Sequence, residues 1–218
     1  MIELGAESRR GRFLVREGID GSGTTTHTRL LSKALERRGV SVCQTAEPTG
    51  GPVGSLIRQV LERRLAVAST RGPRPFAWTT MALLFAADRL DHVDSTIGPA
   101  LRAGDTVVCD RYDLSSLAYQ SLSAPEPDAA LTWIRELNAR APRPDLTIVL
   151  DVSAEVAASR RKERGGKEQL FEADDFQRRL AEKYLQAARL LAGDRIVHVD
   201  ADGEIEVVAG RILGAVDG

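Results

Sequence analysis

Cysteine is scarce in this chain. Only Cys43 and Cys109 occur among the 218 residues, each inside an apolar, β-like run. That placement suits small buried residues in a reducing compartment and excludes a disulfide framework. Histidine is equally sparse. His27, His92 and His198 lie far apart, so no spacing suits a structural zinc site. Excess charge is missing too. The formal net charge is −1, and no global basic field points to nucleic acid or an acidic membrane surface. No apolar run approaches the roughly 20 residues that span a bilayer. The opening stretch, Met1 to Gly11, lacks the apolar core of a signal peptide. Residues 1–11 are therefore expected to form a flexible leader and residues 12–218 a single domain in the cytoplasm. A hydrophobic share of 43% is enough to fill that domain's core.

What is present is an alternation of strand and helix patterns. Strands are expected at Phe13–Glu17, Ser41–Thr45, Asp105–Cys109, Leu146–Val152 and Arg195–Val199. Helical spacing covers Thr25–Arg38, Val53–Arg64, Leu114–Gln120, Asp128–Asn138, Ala154–Arg164, Ala173–Leu191 and Glu204–Val216. A longer helical pattern, Phe76–Ala103, carries Gly98-Pro99, which is able to bend it. Breakers at Glu47–Pro52 and Ala66–Pro75 mark loops. This order predicts an α/β fold with a five-stranded, mostly parallel sheet flanked by helices.

The first strand runs into Gly18-Ile19-Asp20-Gly21-Ser22-Gly23-Thr24-Thr25-Thr26. Strand, glycine-rich loop and helix is the layout of a phosphate-binding P-loop, G-x-x-x-x-G-K-[ST]. In such loops backbone N–H groups and the helix N-terminus face the phosphates. Gly18 and Gly23 have the required spacing, and Thr25 fills the hydroxyl position that binds Mg²⁺. The lysine is absent, and Thr24 stands in its place. A second signal is Asp110-Arg111-Tyr112 at the end of the third strand. A strand-end aspartate suits a Mg²⁺ ion held through water, and an arginine beside it suits a phosphate.

With these motifs the chain resembles the thymidylate kinases. The matching segments are Glu17–Gly23, Glu47-Pro48, Leu83–Arg89, Asp110-Arg111-Tyr112 with Ser115-Ser116 and Ala118-Tyr119-Gln120, and Pro144–Thr147. The resemblance implies transfer of the ATP γ-phosphate to dTMP, giving dTDP for dTTP synthesis. It also implies Mg²⁺ as cofactor, small-molecule partners only, and a homodimer with the Phe76–Ala103 helix as a contact surface. It implies that Gly18, Asp20, Gly21, Ser22, Gly23, Thr24, Thr25 and Thr26 bind ATP. Phe85 would stack on thymine and Arg89 would bond its O4 edge. Asp20 would hold the 3′-hydroxyl, and Arg111 the 5′-phosphate. Tyr119 would lie under the sugar, with Ser116 and Gln120 lining the base pocket. Asp110 and Thr25 would position Mg²⁺. A short lid is expected near residues 160–172, with Arg160, Arg164 and Lys167 as cations over the phosphates. Two other readings share the motifs: a nucleotide-binding protein of this fold without kinase activity, and a kinase for another nucleoside monophosphate.

The sequence departs from the family at cations. Thr24 replaces the P-loop lysine, Ala46 the arginine before Glu47-Pro48, and Leu170 the arginine before Phe171-Glu172. Each lost charge-assisted contact removes roughly 1.5–3 kcal/mol, or about one to two orders of magnitude in rate if it acts in the transition state. Arg16 is an unusual charge in an apolar strand, two residues before Gly18. It is expected to reach the phosphates or an acid beside them, and either Arg16 or a lid cation is expected to replace the lysine catalytically. Arg58 is a further candidate for the dTMP phosphate.

Overall fold

The computed structural model describes residues 10–165, 171 and 173–218. Its centre is a parallel sheet of five strands in the order β2-β3-β1-β4-β5. β1 (Phe13–Gly18) is the middle strand, and every one of its residues is buried. It pairs with β3 (Thr106–Asp110) on one side and β4 (Leu146–Asp151) on the other. β2 (Val42–Ala46) and β5 (Ile196–Asp200) form the edges. Arg16 stands opposite Asp110, and Gly18 opposite Leu150.

Alternation along the strands sorts side chains between two helical layers. Leu14, Val108, Ile148 and Leu150 pack on α1 (Thr24–Arg37) and α9 (Ile205–Asp217). Phe13, Val15, Val107 and Cys109 face the other way, with Ile97 and Leu101. A further cluster joins Val149 to α5 (Asp113–Leu122), α6 (Pro127–Leu137) and α8 (Asp174–Leu190). α2 (Pro52–Leu61) and α3 (Trp78–His92) pack together through Ile57, Val60 and Met81. α7 (Ala154–Arg164) follows β4.

One expectation is met and one needs correction. The Phe76–Ala103 pattern is helical without a break from Trp78 to Arg102, and it is interrupted in its winding just before Gly98-Pro99. After α3 the chain forms a π-helical turn, Val93–Ile97, and then the short α4, Gly98–Arg102. Pro99 has no N–H to give the preceding turn, and the wider turn accommodates that. Arg10 and Gly11, assigned to the leader, are held against the fold. Arg10 pairs with Asp145, and the Gly11 N–H donates to the Leu101 carbonyl at 2.9 Å. A Cβ on Gly11 would lie 1.8 Å from the Asp105 carbonyl oxygen. Residues 1–9 lie outside the described ones.

Candidate active site

Between Gly18 and Thr24 the chain turns over the carboxyl end of the sheet. Gly18, Gly21 and Gly23 adopt φ of +154°, +95° and +89°, which side chains disfavour. At Gly21 there is also no space: a Cβ would sit 2.3 Å from the Ala157 carbonyl oxygen. No side chain can enter there without moving α7. Thr25 Oγ1 donates to Asp110 Oδ2 at 2.5 Å. Asp110 Oδ1 is buried with no partner among the described residues. Hydroxyl and carboxylate thus converge beside the N-terminus of α1, where anions are favoured. Thr24, at the lysine position, is buried.

Arg111 leaves β3 in a left-handed conformation, φ +69°. Its Nη2 donates to Asp20 Oδ1 at 2.6 Å, and its Nη1 to the Gly18 carbonyl at 2.8 Å. Nη1 also reaches Ser115 Oγ and Tyr184 Oη. Its guanidinium carbon lies 5.2 Å from the centre of the Tyr119 ring. Burial works against this charge, but Tyr119, Tyr184, Asp20 and Asp110 outweigh it and hold the pKa well above its ordinary value. Asp20 is itself fixed. Its N–H donates to Gln177 Oε1 at 2.9 Å, Gln177 Nε2 donates to its Oδ2, and Arg161 Nη1 donates to its carbonyl at 2.6 Å. Beneath lies Glu17, accepting from the Tyr112 and Ser115 N–H groups and from Ser115 Oγ. Burial pushes the Glu17 carboxyl up to about 7.

A pocket of about 150 Å³ opens beside Arg111 and Asp20. Phe85, Arg89, Ser116, Tyr119 and Gln120 all line it. Arg89 is buried and tightly held. Its Nη2 donates to Glu47 Oε2 at 2.7 Å and to Ser116 Oγ at 3.1 Å, and its Nη1 to Asn138 Oδ1. Burial opposes the Arg89 charge, and Glu47, Asp113 and Tyr112 outweigh it. Its Nε has no partner among the described residues, and neither has Gln120 Oε1. Arg89, which can only donate, thus lines the pocket with both Nη atoms already engaged.

The structure places the remaining candidates less simply. Arg16 is wholly buried beneath α1 and offers no surface to a ligand. Arg160 donates to the Ala201 and Gly203 carbonyls at the end of β5, away from the pocket. Arg164 ends α7. Lys167 lies outside the described residues, as do residues 166, 168–170 and 172 of the expected lid. Arg58 is committed to the Pro48 carbonyl and Ser55. Thr26 is partly exposed in the first turn of α1, and Ser22 is buried in the loop. Sequence reasoning missed Arg161, which ties α7 to the loop through Asp20 and pairs with Asp174. It sat within the basic run, indistinguishable from its neighbours. Gln177 and Tyr184 were missed because they occupy ordinary inward positions of α8.

The family model described as thymidylate kinase matches residues 17–212. A protein of Pyrococcus abyssi named as a probable thymidylate kinase is 40% identical over 195 residues, covering 89% of this chain and 91% of its own. A thymidylate kinase of Symbiobacterium thermophilum is 40% identical over 196 residues, covering 90% and 88%. One from Magnetococcus marinus is 35% identical over 214 residues, covering 96% and 97%.

Proposed function

The chain belongs to the thymidylate kinase family, and from that premise we propose how its site transfers the γ-phosphate of ATP to dTMP. The reading rests most on one observation: Arg111 is joined to the P-loop at Asp20 and Gly18 while lining the pocket that holds Phe85 and Arg89. The base would stack on Phe85. Arg89, a donor only, would meet the O4 acceptor of thymine and oppose the amino group of cytosine. Gln120 and Ser116 would complete that edge. Tyr119 would underlie the sugar, and Asp20 would hold its 3′-hydroxyl. Arg111 would bind the 5′-phosphate and aim its oxygen along the line of attack.

ATP would lie on the loop Gly18–Thr26, its phosphates facing backbone N–H groups and the N-terminus of α1. An oxygen of dTMP bonds to the γ-phosphorus, the bond to the β-phosphate oxygen breaks, and ADP leaves. The acceptor phosphate is already a nucleophile, so alignment and charge stabilisation do the work. Thr25 Oγ1 and the partner-free oxygen of Asp110 fit a Mg²⁺ ion shared with ATP. That ion neutralises developing charge when bound. Among the described residues no three His, Cys, Asp or Glu side chains form a cluster, so ATP would supply much of the coordination.

Among the described residues no helix is long and apolar enough to cross a membrane. A cytoplasmic location, a single domain over residues 12–218 and small-molecule partners without nucleic acid accord with this reading. A homodimer would use α3, where Leu83 and Leu90 are exposed two turns apart. The test is ADP release in a coupled assay with dTMP, dUMP, dCMP and dGMP. Turnover is expected with dTMP and not with dCMP or dGMP. No turnover with dTMP would reject the proposal.

A further inference from the structure

Arg16 is a charge placed where an apolar residue would normally stand. It has no exposed surface. It alternates with Glu17, so the two lie on opposite faces of β1. Glu17 meets Tyr112 and Ser115, whereas Arg16 meets α1. There Arg16 Nε donates to Thr28 Oγ1 at 2.9 Å. Thr28 Oγ1 donates in turn to the Thr24 carbonyl at 2.7 Å. Thr24 occupies the position of the absent lysine. Across the sheet Arg16 stands in register with Asp110, whose Oδ2 receives Thr25. Both Nη atoms of Arg16 are buried with no partner among the described residues, as is Asp110 Oδ1.

Such a charge is costly. Burial lowers its pKa to about 10, although attraction to Asp110 works to raise it. An apolar residue in place of a buried, imperfectly paired charge is often neutral or stabilising. Stability therefore gives no reason to keep Arg16. Its position does. The chain omits a cation from the start of α1 and supplies one directly beneath that same turn. In a low-dielectric interior a fixed charge acts over several ångströms without contact.

Resting on the kinase reading above, we propose that Arg16 is a positioning residue that supplies the missing lysine's charge from below the P-loop, and that positions 16 and 24 accommodate one cation between them. It acts on bound phosphates through the first turn of α1 and through Asp110. It does not touch substrate. A second cation at position 24 would meet the first across the Thr24–Thr28–Arg16 hydrogen bonds and repel it.

The experiment compares wild type with Arg16→Met, Thr24→Lys and the double variant. Thermal midpoint, ATP binding with Mg²⁺ by calorimetry, and kcat and KM for both substrates are measured. Arg16→Met is expected to keep or raise the midpoint, weaken ATP binding at least ~10-fold, lower kcat at least ~10-fold and leave KM for dTMP within ~3-fold. Thr24→Lys alone is expected to lower the midpoint or the activity. Added to Arg16→Met, it is expected to restore most ATP affinity and kcat. If Arg16→Met does not fold, Arg16→Lys keeps the charge without Nε and should retain ATP affinity within ~3-fold. A larger loss with that variant would overturn the proposal. So would ATP binding unchanged in Arg16→Met, or a Thr24→Lys effect that is the same in both backgrounds. Wild type failing to phosphorylate dTMP would remove the kinase reading, while the ATP-binding comparison would still judge Arg16.

Discussion

Arg111 Nη2 donates to Asp20 Oδ1 at 2.6 Å, joining the end of β3 to the P-loop that follows β1. One fork thus couples the acceptor's side of the site to the donor's. Lysine at 111 would keep a charge but lose the planar pair of donors. Arg111→Lys is expected to lower kcat/KM for dTMP by about 100-fold, equivalent to ~2.7 kcal/mol, with KM for ATP changed less than ~3-fold. Steady-state kinetics with each substrate varied check this split. Equal changes in both KM values would refute the assignment of Arg111 to the acceptor.

Glu17 supports that arginine from below and carries a pH signature. Its pKa rises from 4.5 to about 7, chiefly through burial. A raised folded-state value means that the native protein holds a proton the unfolded chain releases. The stabilisation is complete below about 4.5 and is lost as pH rises through about 7. Glu17→Gln removes the titration and keeps one acceptor oxygen. The difference in thermal midpoint between wild type and Glu17→Gln is expected to fall steadily across that window. A constant difference would count against it.

His27 works in the opposite sense. Burial first, then Arg16 and Arg160, lower its pKa from 6.5 to about 4. The unfolded chain binds the proton more readily, so stability is present above 6.5 and is lost as pH falls through about 4. His27→Gln is expected to flatten the acid limb of a midpoint–pH curve. Because Arg16 contributes to the shift, Arg16→Met should move the imidazole pKa upward, as read by NMR titration. No movement would separate the two residues electrostatically.

Much of this was legible in the sequence. Glycine spacing, the strand-end Asp110-Arg111 pair and the alternation of patterns locate the sheet, its five strands and the loop. The same motif segments contain the pocket residues Phe85, Arg89 and Tyr119. What was hidden was the direction of long side chains. Arg160 and Arg161 are adjacent in one helix, yet they reach Ala201 and Asp20 respectively. Spacing along a helix fixes a face to within a turn; it does not say which backbone carbonyl a flexible guanidinium meets. Arg16 was visible as an anomaly, but its burial under α1 follows from strand alternation combined with a register that only the fold supplies.

Arg89 and Glu47 form a buried ion pair at the base end of the pocket. Removing Arg89 leaves the Glu47 carboxylate buried with His92 Nδ1, at 3.1 Å, as its remaining side-chain partner among the described residues. Arg89→Met is expected to cost ~3–5 kcal/mol and to lower the thermal midpoint by at least ~6 °C for a chain of this size. The double variant Arg89→Met with Glu47→Gln should recover part of that stability. It should not recover dTMP binding, since the donor for the base is still gone. Recovery of both would make Arg89 a structural residue only.

Gly21 and Gly23 separate backbone strain from a specific clash. Both have φ near +90°, so alanine at either costs ~1–2 kcal/mol for the left-handed conformation. Their surroundings differ. A Cβ on Gly23 meets only the His27 ring, at 3.2 Å, whereas one on Gly21 lies 2.3 Å from the Ala157 carbonyl oxygen. That carbonyl belongs to α7, one turn before Arg161, which donates to the Asp20 carbonyl. Gly21→Ala must therefore push α7 away and stretch the Arg161 bond. Its thermal midpoint is expected to fall further than that of Gly23→Ala, by the equivalent of ~1 kcal/mol or more. Hydrogen exchange should quicken in the first turns of α7 in Gly21→Ala alone. Equal losses of stability with unchanged exchange in α7 would mean that the helix does not press on the loop as the structure places it.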